Sequence, residues 1–149
     1  MENNTIWNQS VAAVCLKDGK VLLALHTYGG GKGKLIIPGG YLQAGETPEE
    51  AVRREFMEEV HVEIEPKEIV GIRFSSRDWY VVFRAEHISG EPTPDYDEVD
   101  EVLWIDAGEA LQREDVPELT KSLIRCTISA QPGIRQIPYS YNGSLYGTE

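Results

Sequence analysis

Residues 39–62 read Gly-Gly-Tyr-Leu-Gln-Ala-Gly-Glu-Thr-Pro-Glu-Glu-Ala-Val-Arg-Arg-Glu-Phe-Met-Glu-Glu-Val-His-Val. Thr47 is followed three residues later by Glu50, the spacing of a capping box, and Pro48 stands at the favoured first helical position. Val52, Phe56 and Val60 recur every four residues and form an apolar stripe. A helix therefore begins at Thr47, and Pro66 limits how far it extends. At about 100° per residue, Glu55, Glu58 and Glu59 project within an arc of roughly 100° beside that stripe.

Like charges three or four residues apart destabilise a helix by roughly 0.2–0.5 kcal/mol per pair. A bound cation reverses that penalty, and Mg²⁺ suits the patch because it joins a few carboxylates to phosphate oxygens while keeping some waters. A merely solvated face, neutralised by Arg53 and Arg54, is the plainer reading of the three glutamates alone.

The surrounding residues change the balance. The stretch resembles the Nudix box, Gly-x5-Glu-x7-Arg-Glu-U-x-Glu-Glu-x-Gly-U, where U is a bulky aliphatic residue. Gly40, Glu46, Arg54, Glu55, Glu58, Glu59 and Val62 fall in register, and the preceding Pro38-Gly39 is also typical. Two positions depart from it: Phe56 replaces an aliphatic residue, and His61 replaces the glycine that would supply a left-handed backbone at the helix end. Histidine tolerates that backbone better than most residues.

The resemblance implies a Nudix-like α/β/α sandwich, an α/β (α+β) fold with a mixed sheet between helices. It implies a hydrolase that uses Mg²⁺, with Mn²⁺ as an allowed substitute, to cleave the diphosphate linkage of a nucleoside diphosphate joined to a moiety X. The metal ligands would be Glu55, Glu58 and Glu59 with the Gly39 carbonyl, and Arg54 would pair with Glu46 to brace loop against helix. The catalytic set is Glu58, Glu59, Glu98 and Arg54. Glu98 and Glu101 are the candidates for an acid outside the helix, in Asp95-Tyr96-Asp97-Glu98-Val99-Asp100-Glu101 ahead of Trp104. The alternative reading of that stretch is an acidic surface loop.

Working outward, Ser10–Leu16 and Val21–His26 are apolar runs about Asp18-Gly19, a hairpin signal. Thr27–Lys34 reads as a mobile Gly- and Lys-rich loop; it lacks the spacing of a phosphate loop, although Lys32 or Lys34 could reach a phosphate. Leu35-Ile36-Ile37 is a short strand stopped by Pro38-Gly39-Gly40. Ile69–Ser75 and Trp79–His87 are two further strands, Gly90–Asp97 a Pro-rich loop, and Val102–Ile105 the last strand. Helical segments follow at Ala107–Arg113 and Pro117–Ile128.

Among the aromatics near the box, Tyr28, Tyr41, Trp79 and Tyr80 are candidates to stack on a nucleobase, against the commoner role of core packing. Trp79, Tyr41 and Lys34 form the substrate-binding set.

At 149 residues the chain fits a single domain over 1–130, with a Tyr/Gly/Pro-rich tail at 131–149 that either docks or stays loose. Hydrophobic residues make up 41% and charged residues 26%, ordinary for a globular protein. The net charge of −11 makes long nucleic acid a poor partner, because its affinity comes from Lys and Arg on phosphates. The expected partner is a small nucleotide-like diphosphate, and a homodimer is allowed. Cys15 and Cys126 form no Cys-x-x-Cys pair, the N-terminal residues lack a signal-peptide pattern, and no apolar run approaches about 20 residues. These features point to a cytoplasmic enzyme with no membrane span.

Two other functions are weighed. One is a non-catalytic nucleotide sensor on the same domain, against which the intact glutamate set argues. The other is an isomerase, which would want a reactive cysteine; Cys15 falls in a buried strand and Cys126 in a late helix.

Overall fold

The computed structural model describes residues 8–27, 29–76, 78–129, 133–138 and 145–147. Strand β1 (Asn8–Lys17) turns through Asp18 and Gly19, with φ of 52° and 77°, into β2 (Lys20–His26). Two consecutive left-handed residues match the twist of the flanking strands, which is why Asp-Gly serves here. The hairpin pairs only Leu16–Val21 and Lys17–Lys20 before the strands part. Further along, β1 pairs in parallel with β6 (Asp78–Ser89), whereas β2 pairs antiparallel with β7 (Val99–Asp106).

The opening between β1 and β2 is filled from the segment expected to end a strand. Besides β3 (Leu35–Ile36) against β2, Gly39–Tyr41 forms a strand of its own, β4, against Ser10–Ala12 of β1. The two glycines permit the pairing: a Cβ on Gly39 would collide with the Val11 carbonyl oxygen and the Ala12 side chain. The seven strands make one mixed sheet, completed at its edge by β5 (Glu63–Phe74) on β6.

Both faces of the central strands are buried. Val11, Ala13 and Cys15 pack with Leu22, Phe83 and the stripe Val52, Phe56 and Val60 of helix α1 (Pro48–Val60). Ala12, Val14, Leu23 and Val82 pack on the opposite face with Ile124 of α3 (Glu118–Ile128) and Ala110 of α2 (Ala107–Ala110). Alternate residues of one strand serve opposite cores. The result is the expected mixed sheet between helices.

Helix α1 has the predicted start. The Thr47 side chain accepts from the Glu50 N–H at 3.2 Å, and Glu50 Oε2 accepts from the Thr47 N–H at 3.3 Å. Its end comes at His61, whose φ of 59° is the left-handed conformation and whose N–H donates to the Met57 and Phe56 carbonyls. Thr93 holds this end, donating its N–H to the Val60 carbonyl at 2.9 Å, with its own carbonyl 2.8 Å from His61 Nδ1.

Several boundaries differ from expectation. Helix α1 ends at Val60, ahead of Pro66, which lies inside β5 at a register shift against β6, where a missing N–H is tolerated. Strand β5 thus starts at Glu63 rather than Ile69, and β7 starts at Val99 rather than Val102. Helix α2 ends at Ala110, leaving Gln112 and Arg113 in turn-type hydrogen bonds. Within the segment expected to be a mobile loop, Gly29–Gly31 form a 3-10 turn, and the Gly33 N–H donates to the His26 carbonyl at 3.0 Å. Nor is β7 the last strand. Within the tail, β8 (Arg135–Ile137) and β9 (Leu145–Gly147) pair with each other, Ile134 bridges to Ile69, and the Tyr146 ring meets Phe83 edge-on at 5.8 Å. No helix among the described residues is long and apolar enough to cross a membrane.

Candidate active site

The acidic side of α1 opens on a cavity of about 640 Å³, walled by β4, α1 and the loop before β7. Its lining includes Glu55, Glu58, Glu59, Asp95, Asp97 and Glu98, with Arg54 the one arginine or lysine among the described lining residues. Walls of one sign focus field and draw counter-ions.

Arg54 organises the outer part. Its Nε and Nη2 grip Glu46 at 2.6 and 3.0 Å, Nη2 also donates to the Tyr41 carbonyl at 3.0 Å, and Nη1 lies 2.9 Å from Glu55 and 3.1 Å from Glu58. Hydrogen bonding from Arg54 holds the Glu46 carboxyl below its ordinary range. Gly40 makes room for this arrangement, since a Cβ there would stand 2.5–2.6 Å from the carboxyl atoms of Glu55.

The inner part has no such cation. Glu59 is only 3% exposed, and its Oε2 accepts the Gly39 N–H at 3.0 Å. Burial pushes its carboxyl up to about 8, the Gly39 hydrogen bond opposes this, and the charges of Glu55, Glu98 and Asp95 push it further. Burial also raises Glu55, against the pull of Arg54. Glu58, by contrast, is 57% exposed on its side chain.

The loop before β7 is shaped by Asp95, whose Oδ1 accepts the N–H groups of Asp97, Glu98 and Val99 at 3.0, 3.1 and 2.9 Å. Thr27 holds the Glu98 carbonyl with its N–H and hydroxyl, at 3.1 and 3.2 Å. The loop thereby places Glu98 on the cavity wall. Asp95, Asp97 and His26 on that wall were not among the expected site residues. An aspartate two to four residues ahead of the N–H groups it caps is a recognisable turn signal for Asp95. His26 arrives by strand pairing and gives no local sign.

Tyr41 lines the cavity and is 64% exposed. Three expected residues lie elsewhere. Glu101 stands on β7 opposite Leu25, and neither it nor Lys34 lines this cavity. Trp79, partly buried, packs against the core cluster beneath α1 and does not line this cavity. Tyr28 is outside the described residues.

The donor set around the cavity is all oxygen, which suits a hard divalent cation. The ligands are not, however, pre-assembled: among the described residues no three His, Cys, Asp or Glu side chains stand ready to hold a metal. Arg54 Nη1 lies between Glu55 and Glu58, and the Gly39 N–H occupies one oxygen of Glu59. The trio expected from helical pitch does share one cavity, with Arg54 set among its members.

Comparisons with known proteins bear on the family and the fold. The chain is 32% identical over 120 residues to an NAD-capped RNA hydrolase NudC of Vibrio parahaemolyticus serotype O3:K6, covering 76% of this chain and 44% of that one. The chain thus spans less than half the length of this relative. It is 39% identical over 69 residues to an ADP-ribose pyrophosphatase of Methanocaldococcus jannaschii, covering 46% and 40% of the two chains. In fold it resembles a NUDIX hydrolase of Nitrosomonas europaea, with a TM-score of 0.75 at 22% identity over 85% of this chain and 74% of that one. Residues 7–126 match the family model of the NUDIX domain. The chain belongs to the NUDIX family.

Proposed function

We propose that this chain is a pyrophosphohydrolase that cleaves the diphosphate linkage of a small nucleoside diphosphate joined to a moiety X, with Mg²⁺ as cofactor. The observation that carries this reading is the single cavity in which buried Glu59 and half-buried Glu55 meet exposed Glu58 and the loop acid Glu98. Such a set is costly for a protein to keep together unless a cation joins it. When bound there, Mg²⁺ supplies polarisation of phosphate oxygens and a more acidic water. Glu55, Glu58 and Glu59 are the residues that would hold it.

The remaining work belongs to the chain. Arg54 fixes the Glu46 loop to α1 and takes part of the charge of Glu55 and Glu58. Glu98, set on the wall by Asp95 and Thr27, is placed to accept a proton from water. Tyr41 offers an exposed ring at the rim. The relatives' names, an NAD-capped RNA hydrolase and an ADP-ribose pyrophosphatase, both concern a nucleoside carrying a diphosphate. The net charge of −11 favours the small compounds of that class over an RNA chain.

The test is phosphate and nucleotide release over a panel of ADP-ribose, NAD, nucleotide sugars, dinucleotides and nucleoside triphosphates, with Mg²⁺ and with a chelator. Turnover of at least one compound that stops on chelation supports the proposal. A second reading, a nucleotide sensor, is favoured by Arg54 lying between Glu55 and Glu58. Tight binding across the panel with no turnover would select it.

A further inference from the structure

The acidic cavity does not stand alone. An apolar cleft of about 380 Å³ adjoins it and shares the wall formed by His26, Gly39, Gly40 and Tyr41. Past that wall the cleft is lined by Ile36, Ile37, Tyr80, Pro117 and Leu119. Its polar feature is the Arg73–Asp78 ion pair at 2.9 Å, with the Arg73 guanidinium carbon 5.6 Å from the centre of the Tyr80 ring. One end of the combined space therefore suits a cation-bridged diphosphate, and the other suits a flat, uncharged aromatic group.

His26 marks the seam between them. It closes β2 where the ladder to β7 slips between Leu25 and His26, and it pairs with Val99, next to Glu98. The Gly-rich segment fixes its backbone: the His26 N–H donates to the Lys34 carbonyl at 3.1 Å, and its own carbonyl accepts from Gly33 at 3.0 Å. Gly31 also packs beside this residue, since a Cβ there would lie 3.7 Å from the His26 Cβ.

The side chain on that backbone is not held in the same way. Its Nε2 is buried and finds no hydrogen-bond partner among the described residues, a condition shared there only with one oxygen of Glu49. A buried polar atom in that state is costly, and such groups are commonly met by water or an ion.

We propose that one substrate molecule lies across both cavities, and that His26 is the binding residue at the seam. Its Nε2–H donates to an oxygen between the aromatic base and the scissile diphosphate. A turn of the ring about its side-chain torsion brings Nε2 from beneath the wall to the seam. The proposal rests on the pyrophosphohydrolase reading only for what fills the acidic end.

Calorimetric binding with Mg²⁺ present tests it, using inorganic pyrophosphate as the probe of the acidic cavity alone and the tightest of ADP, GDP, CDP and UDP as the probe of both. In His26→Phe, nucleoside diphosphate binding should weaken at least tenfold more than pyrophosphate binding does. His26→Asn, which keeps a donor, should recover most of the loss. Should His26→Phe fail to fold, His26→Leu carries the same comparison. Equal loss on both probes, or no loss on the nucleotide, overturns the proposal, as does a wild-type protein that binds pyrophosphate but none of the four nucleotides. Binding that behaves as expected beside an inert turnover panel would defeat the hydrolase reading and leave His26 in place.

Discussion

Glu46 lies just ahead of α1 and Glu59 in its last turn; both are within reach of groups that donate hydrogen bonds, yet their carboxyls shift in opposite directions. Glu46 meets a guanidinium in a bidentate pair at 2.6 and 3.0 Å and is held low. Glu59 meets one backbone N–H in a buried, acid-lined corner and is pushed up to about 8. The first region has satisfied its charge internally and serves the frame. The second keeps a carboxyl whose ionisation burial and neighbouring acids disfavour, with one backbone N–H to oppose them.

The contrast breaks first at Glu59. A carboxyl whose folded value exceeds its ordinary 4.5 binds more protons folded than unfolded, so stability falls as pH rises between about 4.5 and about 8. In Glu59→Gln this slope should flatten, and melting without divalent cation at pH 8 should occur at a higher temperature than in wild type. Turnover should drop by orders of magnitude in the same variant. Melting curves at pH 5 and pH 8, set beside the rate, check both; an unchanged slope would place the strain elsewhere.

Glu46→Gln should do the opposite. We expect a loss of about 1–2 kcal/mol at pH 7, since the pair is partly buried and charge-assisted. The depressed carboxyl contributes above its ordinary value and ceases to as pH falls through the folded one, so the difference from wild type should vanish at low pH. Urea denaturation at pH 7 and pH 3 measures it, and a loss equal at both would assign the effect to packing.

A smaller effect sharpens the picture at the far end of α1. His61 holds a left-handed φ of 59° that glycine adopts freely, while its ring meets the Thr93 carbonyl. His61→Gly should gain about 0.5 kcal/mol net of that lost contact, whereas His61→Ala should lose about 1 kcal/mol. Loss of stability in both variants would mean that the Thr93 contact dominates.

What the sequence revealed follows the same division between local and distant causes. The cap at Thr47 and Glu50, the Asp18-Gly19 turn and the placing of three glutamates on one side of α1 depend on neighbours within a few residues, and all were legible. Strand β4 was not, because Gly39 and Gly40 read as a turn until β1 supplies a partner across which they alone can approach. The extension of β5 through Pro66 likewise depends on a register shift with β6. At the site, Asp95 and His26 come from segments brought together by β2–β7 pairing, while Trp79, plausible as a stacking residue by type, packs against the core.

Glu58 offers the cleanest access to the chemistry, since its side chain is mostly exposed and its neutralisation should leave folding untouched. The decisive measurement is the rate of Glu58→Gln at saturating Mg²⁺ on the best substrate of the panel, with its melting temperature taken alongside. A fall of at least a hundredfold (about 2.7 kcal/mol of barrier) with melting within about 2 °C of wild type, on the order of 0.5–1 kcal/mol at this chain length, is the predicted result. Turnover equal to wild type would show that Glu58 does not hold the cation the reaction uses.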